Sequence, residues 1–196
     1  MPLTTAITAE PNVEPVSLSD LKAHCRVDIS ADDDYLTALI TVARQYCEKQ
    51  TARSFITQTR TLSLDHFPHD GSAIELPYGP VQSITSIGYT DTDNESATWT
   101  ASLYQSDLTS LVARIAPVWG EVYPSTYDVF NAVVVTYDAG YGDAASNVPG
   151  PIKQAIKLLA AHLYAHREPA IVGVSISAVP MTVDSLLGFY VDPTLY

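Results

Sequence analysis

Positive charge is scarce in this chain. Its 196 residues hold 10 Lys and Arg against 22 Asp and Glu, a formal net charge of −12. Holding a nucleic acid backbone takes Lys and Arg to neutralise phosphates, so electrostatic attachment to DNA or RNA is excluded as the protein's task. Charge of either sign is thin, at 16% of residues, where about a quarter is usual. With 46% apolar residues, this describes a folded chain with a neutral polar surface, not a disordered one. No stretch approaches the roughly 18 apolar residues of a membrane span. The first thirteen residues hold neither a basic segment nor an apolar run, so no secretory signal is expected and folding is placed in a cytoplasm. Cysteine is limited to Cys25 and Cys47. Both fall on apolar positions of expected helices, as inert, buried free thiols would in a reducing compartment.

The motifs of catalysis are missing too, each on a named residue. The nine glycines form neither a phosphate-cradling loop nor a dinucleotide fingerprint, and no nucleophile elbow is present. Asp91-Thr92-Asp93-Asn94-Glu95 opens like a calcium loop. It fails at the sixth position, Ser96, and at the twelfth, Ser102, and reads as a solvated hairpin turn. His162 and His166 are one helical turn apart, but Leu163 stands where a zinc protease needs Glu, and His24, His66 and His69 have no ligand spacing. Asp32, Asp33 and Asp34 are accounted for by the start of a helix. The chain is therefore read as no enzyme, with no metal and no cofactor.

What is present is acid in the middle and apolar surface at the end. Residues 51–150 hold 11 acidic residues against 3 basic ones, while residues 151–196 are balanced at 3 against 3. An acidic surface gives solubility and repels DNA. Tyr occurs 12 times, which suits both strands and interfaces.

Local patterns give an element order. Pro2, Pro11 and Pro15 suggest a loosely held N-terminal arm. Ser17 with Asp20 three residues on is a capping-box variant and predicts a short helix over 18–26. Leu36, Leu39, Ile40, Ala43, Tyr46 and Cys47 form one apolar stripe at helical period, so a second helix runs to about Ala52, with Arg44 and Glu48 paired on its other side. From Phe55 the period shortens. Strands are expected at Thr59–Asp65 with Leu62 and Leu64 inward, at Ala73–Leu76, at Val81–Tyr89 and at Ala132–Asp138. Weaker ones fall at Trp99–Tyr104 and Val112–Ala116. Pro151 opens a last long helix carrying Ile152, Ile156, Leu159 and Leu163, with Lys153 and Lys157 on its wet face and Glu168-Pro169 at its end. Thr182–Gly188 allows one or two helical turns. The fold class is α+β: a helical pair with a β-rich insertion and an extended C-terminal arm. The segments are 1–55 (arm and two helices), 56–147 (insertion), 148–169 (long helix) and 170–196 (arm).

Several stretches in this order resemble the head–tail connector (adaptor) family of tailed bacteriophages. They are Pro15–Lys22 with Cys25–Asp28, Asp32–Ile40 with Ala43–Glu48, Ile56–Thr59, Ile74–Val81, Val133–Tyr141, Val148–Ile156 and His162–Glu168. The resemblance implies a structural subunit of the virion neck. Such a subunit forms a ring, commonly of twelve copies, that docks on the portal and extends the DNA channel. It would offer an attachment surface to a tail terminator or the next neck protein, and let genomic DNA pass without specific binding; no membrane is involved. The C-terminal segment would reach the portal. Leu186, Leu187, Phe189, Tyr190, Leu195 and Tyr196 are the residues assigned to that grip, because they are more apolar than a free tail should expose. On this reading, deleting residues 180–196 abolishes docking and leaves the fold intact. Ile171–Ser177 has no place in the family pattern and suggests an added strand. The rival reading is a ligand- or carbohydrate-binding β module of a phage particle, in which Trp99, Trp119 and the tyrosines stack on sugars.

Overall fold

Ser17 starts the first helix as its sequence predicts. Its Oγ accepts from the Asp20 amide at 3.1 Å and donates to Asp20 Oδ2 at 2.7 Å, and helix α1 follows over Leu18–Cys25. A computed structural model of the chain describes residues 4–167 and 181–192. The chain divides into two compact units. One joins the residues up to Pro11 to Thr57–Gly140, and the other joins Asn12–Ile56 to the residues from Tyr141 on.

The helical unit contains α1, α2 (Asp33–Thr51), α3 (Gly150–Ala165) and α4 (Met181–Leu187), which runs into a 3-10 turn at Gly188–Tyr190. The stripe on α2 buries Leu36, Leu39, Ile40, Ala43 and Cys47. They share one core with Leu21 of α1, Ile152, Ile156 and Leu159 of α3, Phe55, and Val183 and Leu187 of α4. Val183 and Leu187 lie four residues apart, so they share one face of α4 and both turn inward.

The β unit is antiparallel throughout. Its five-stranded sheet runs β1–β2–β8–β4–β5, made by Thr4–Ala9, Gln58–Leu64, Val133–Ala139, Val81–Thr90 and Ser96–Thr98. A second sheet runs β3–β7–β6, made by Ile74–Leu76, Ala113–Pro117 and Tyr104–Asp107. Leu62 pairs with Val135 and Leu64 with Val133 in the β2–β8 register. That register puts the inward residues of both strands on one face. They pack with Tyr137, Ile87, Ile115, Leu76, Phe67 and Trp99 in a single core.

Four expectations change. The N-terminal arm is β1, whose Thr5 pairs with Leu62 and Ala6 with Thr61 at the edge of the sheet. Trp99–Tyr104 is not a strand: a 3-10 turn at Ala101–Leu103 precedes β6, because Trp99 turns into the core and ends the alternation. The C-terminal segment is in part core, since α4 buries Val183 and Leu187. Deleting residues 180–196 therefore removes core packing atoms. The long helix ends at Ala165; Glu168, Pro169 and the strand expected at Ile171–Ser177 lie outside the described residues.

Candidate interaction surfaces

The segment after α4 is fastened to the end of α2 by two hydrogen bonds accepted by backbone carbonyls. Arg53 Nε donates to the Tyr190 carbonyl at 2.6 Å, and the Asp192 amide donates to the Thr51 carbonyl at 2.9 Å. Ala52 at the end of α2 is left-handed (φ 47°), which ends the helix there and brings Arg53 and the last carbonyls of α2 to this junction. The six residues assigned to the portal grip separate accordingly. Leu187 is buried, Leu186 and Tyr190 are partly buried against the helical core, and Phe189 is 91% exposed. Leu195 and Tyr196 lie outside the described residues.

A buried ion network underlies this junction. Arg44, 2% exposed, donates to Glu14 Oε2 and to Glu48 Oε2, each at 2.9 Å. Glu14 also accepts from Thr41, and the other Glu48 oxygen accepts the Phe55 amide at 2.8 Å. The pair expected on the solvent side of α2 is thus internal. It ties the segment before α1 and the start of the β connection to one helix. Arg53 and Ser54, just beyond α2, are buried as well, which spacing within a single helix does not reveal.

The start of α2 is also used differently from the expectation. Asp32 makes no cap bond; its Oδ2 accepts from Tyr164 Oη at 2.6 Å and from Arg167 at 2.9 Å. The Tyr164 bond, then the Arg167 guanidinium, holds the Asp32 carboxyl below the usual carboxylate range. Arg167 lies over the rings of Tyr35 and Tyr164, 4.8 Å from each centroid, a cation–π arrangement. Asp33 pairs with Lys22 of α1. Burial, with Glu48 and Asp184 nearby, pushes the Cys47 thiol up to about 12, and burial raises the half-buried Cys25 as well.

The β unit presents a different surface. Trp99 lies within 5.1–5.4 Å of the Phe67, Tyr104 and Tyr123 rings and is 3% exposed. It is a core residue and no sugar platform. Trp119 is its opposite. The Glu121 amide donates to the Val118 carbonyl at 3.0 Å, and Gly120 takes φ +87°. A glycine at the third position permits this tight turn. The turn throws the Trp119 indole wholly into solvent, at 101% exposure. Val122 and Phe130 of the same loop are also exposed. An open cleft of about 670 Å³ beside it is lined by Phe67, His69, Trp119 and Tyr123.

The motifs weighed for metals resolve into turns and ring stacks. Asp91 Oδ1 accepts from the Asp93 and Glu95 amides, each at 3.0 Å, which closes the β4–β5 hairpin. The His162 and His166 rings are 4.5 Å apart, and His66 stacks on His69 at 4.1 Å. Among the described residues no three His, Cys, Asp or Glu side chains are grouped to hold a metal, and no helix is long and apolar enough to cross a membrane.

This α+β architecture recurs in solved particle structures. It is similar to a chain in the virion of a native gene transfer agent (GTA) particle. That match has 21% identity, a TM-score of 0.79, and covers 95% of this chain and 94% of that one. A chain in the neck of the empty GTA particle computed with C6 symmetry matches at 23% identity and TM-score 0.76, over 97% and 95% of the two chains. One in the neck of the native particle computed with C12 symmetry matches at 22% and 0.71, over 95% and 94%. At these identities the likeness is one of fold. No curated protein matches the sequence. Residues 15–112 match the family described as Phage gp6-like head-tail connector protein, and the chain belongs to that family. It is a family of structural connectors.

Proposed function

We propose that the protein is a structural subunit of the neck of a tailed phage-like particle. Copies form a ring, of twelve by the family's habit, docked on the portal. The ring extends the DNA channel and gives the tail or the next neck protein its seat. The observation that carries this reading is the family match over residues 15–112. Fold likeness to chains from particle necks computed with C6 and C12 symmetry, over nearly the full length, supports it. So does the net charge of −12, since a carboxylate-lined wall lets DNA slide without displacing counterions to hold it. The portal grip falls to Phe189 with Leu195 and Tyr196. Leu187 instead anchors the segment that bears them, with Leu186 and Tyr190 against the same core.

The test is the mass of the purified full chain alone and with portal. A portal-bound ring is expected; a monomer that never binds portal overturns the reading. Phe189→Ser should weaken portal binding without changing the fold's unfolding midpoint. An unchanged portal affinity would remove Phe189 from the grip.

A further inference from the structure

We infer that neighbouring copies in the ring meet through the 118–130 loop of one copy and the outer face of α2 of the next. This rests on the ring reading above. A cyclic ring uses a heterologous contact, so each copy must carry two different patches that fit each other. At a net charge of −12, two arbitrary patches repel. The partners must therefore combine apolar area with an unequal share of charge.

The 118–130 loop supplies one half. Trp119, Val122 and Phe130 stand in solvent, and the only charged side chains among them are Glu121 and Asp128, both exposed. Among the described residues, no basic side chain of the β unit answers these acids. Its two basic residues are Arg60, buried with its guanidinium 3.9 Å from the Tyr78 ring centre, and Arg114, paired with Asp107. The loop fits an apolar surface with a basic edge.

The outer face of α2 supplies the other half. Tyr35, Ala38, Val42, Gln45 and Lys49 follow at i, i+3, i+7, i+10 and i+14, and all five are exposed. Those spacings form one line along a helix. It carries no acid from Tyr35 to Lys49 in a protein where acids outnumber bases by more than two to one. Its centre is apolar and its C-terminal end is cationic. A tryptophan anchor on Val42 and Tyr35, with Glu121 or Asp128 toward Lys49, pairs apolar with apolar and acid with base.

The experiment places a photoreactive benzoyl-phenylalanine at position 119 of the full chain. Isotopically heavy and light copies are mixed, assembled on portal and irradiated. Heavy–light crosslinks from position 119 to residues 35–49 are expected. Lys49→Glu should weaken ring assembly roughly ten-fold or more, as a like-charge contact does, and adding Glu121→Lys to the same chain should restore it. Crosslinks to another neck protein, or to another part of the second copy, overturn the inference. So does full assembly of the Lys49→Glu chain. A wild-type chain that forms no ring on portal overturns the ring reading itself, which keeps the two failures distinct.

Discussion

The two units carry the same number of acidic residues, 11 each, and differ in what answers them: the β unit has 2 basic residues and the helical unit has 8. The helical unit uses charge as internal fastening. Arg44 joins Glu14 and Glu48, Lys22 joins Asp33, and Arg167 joins Asp32. The β unit is held by its sheets and by the rings of Phe67, Trp99 and Tyr123, and most of its acids face water. A sheet with one solvated face can be fixed by alternation and aromatic packing alone. Four helices and the loops between them present more polar ends, and in the Arg44 network Glu48 answers one such group, the Phe55 amide.

The largest effect expected from this contrast is in the helical unit. Arg44→Ala leaves the Glu48 carboxylate buried without its cation and should cost about 3–5 kcal/mol. Urea unfolding measures it, and a change below 1 kcal/mol would make the network ornamental. Arg44→Met with Glu48→Gln, which keeps an acceptor for the Phe55 amide, should recover most of the loss. In the β unit, Trp99→Ala should cost about 3–5 kcal/mol by cavity formation. Salt should leave both losses nearly unchanged, because a pair as buried as Arg44 and Glu48 is screened little and ring packing not at all.

Leu187→Ala comes next, at about 2–5 kcal/mol, read by the same unfolding curves. An unaltered midpoint would return α4 to the status of a loose arm. A smaller effect concerns alkali. The Cys47 thiol rises from 9.0 to about 12 in the folded chain. Between those values the unfolded chain ionises and the folded one does not, so stability is lost as pH rises. At pH 10 this amounts to about 1 kcal/mol. Cys47→Ala should flatten that slope between pH 8 and 10, whatever it does to stability at pH 7. Least of all, Trp119→Ala should shift stability by no more than about 0.5 kcal/mol, since the indole touches no core, even as it removes the proposed anchor between copies.

The sequence makes plain whatever repeats with a period. The α2 stripe, the alternation at Leu62 and Leu64, the Ser17 cap and the triple valine of β8 are local patterns with local causes. What stays hidden depends on partners far along the chain. Arg44 and Glu48 read as a surface pair because i,i+4 spacing is the same on a wet face and a buried one; only Glu14, thirty residues away, and the Phe55 amide make them internal. Asp32 reads as a cap because Tyr164 and Arg167 are more than 130 residues off. Trp99 and Trp119 read alike, and only Gly120 beside Trp119 hints that one is turned outward. Tail apolarity was visible as a sum, but which residues face inward required the position of α4 against α3.

The junction at Thr51, Arg53, Tyr190 and Asp192 also bears on how the chain would carry load. A pull applied beyond Asp192 meets, beside the covalent chain into α4, one backbone and one side-chain hydrogen bond at the end of α2. These bonds would share the strain with the covalent chain and lead part of it into a 19-residue helix. In the neck subunit proposed above, such a splice would make the clasp and the strut a single piece.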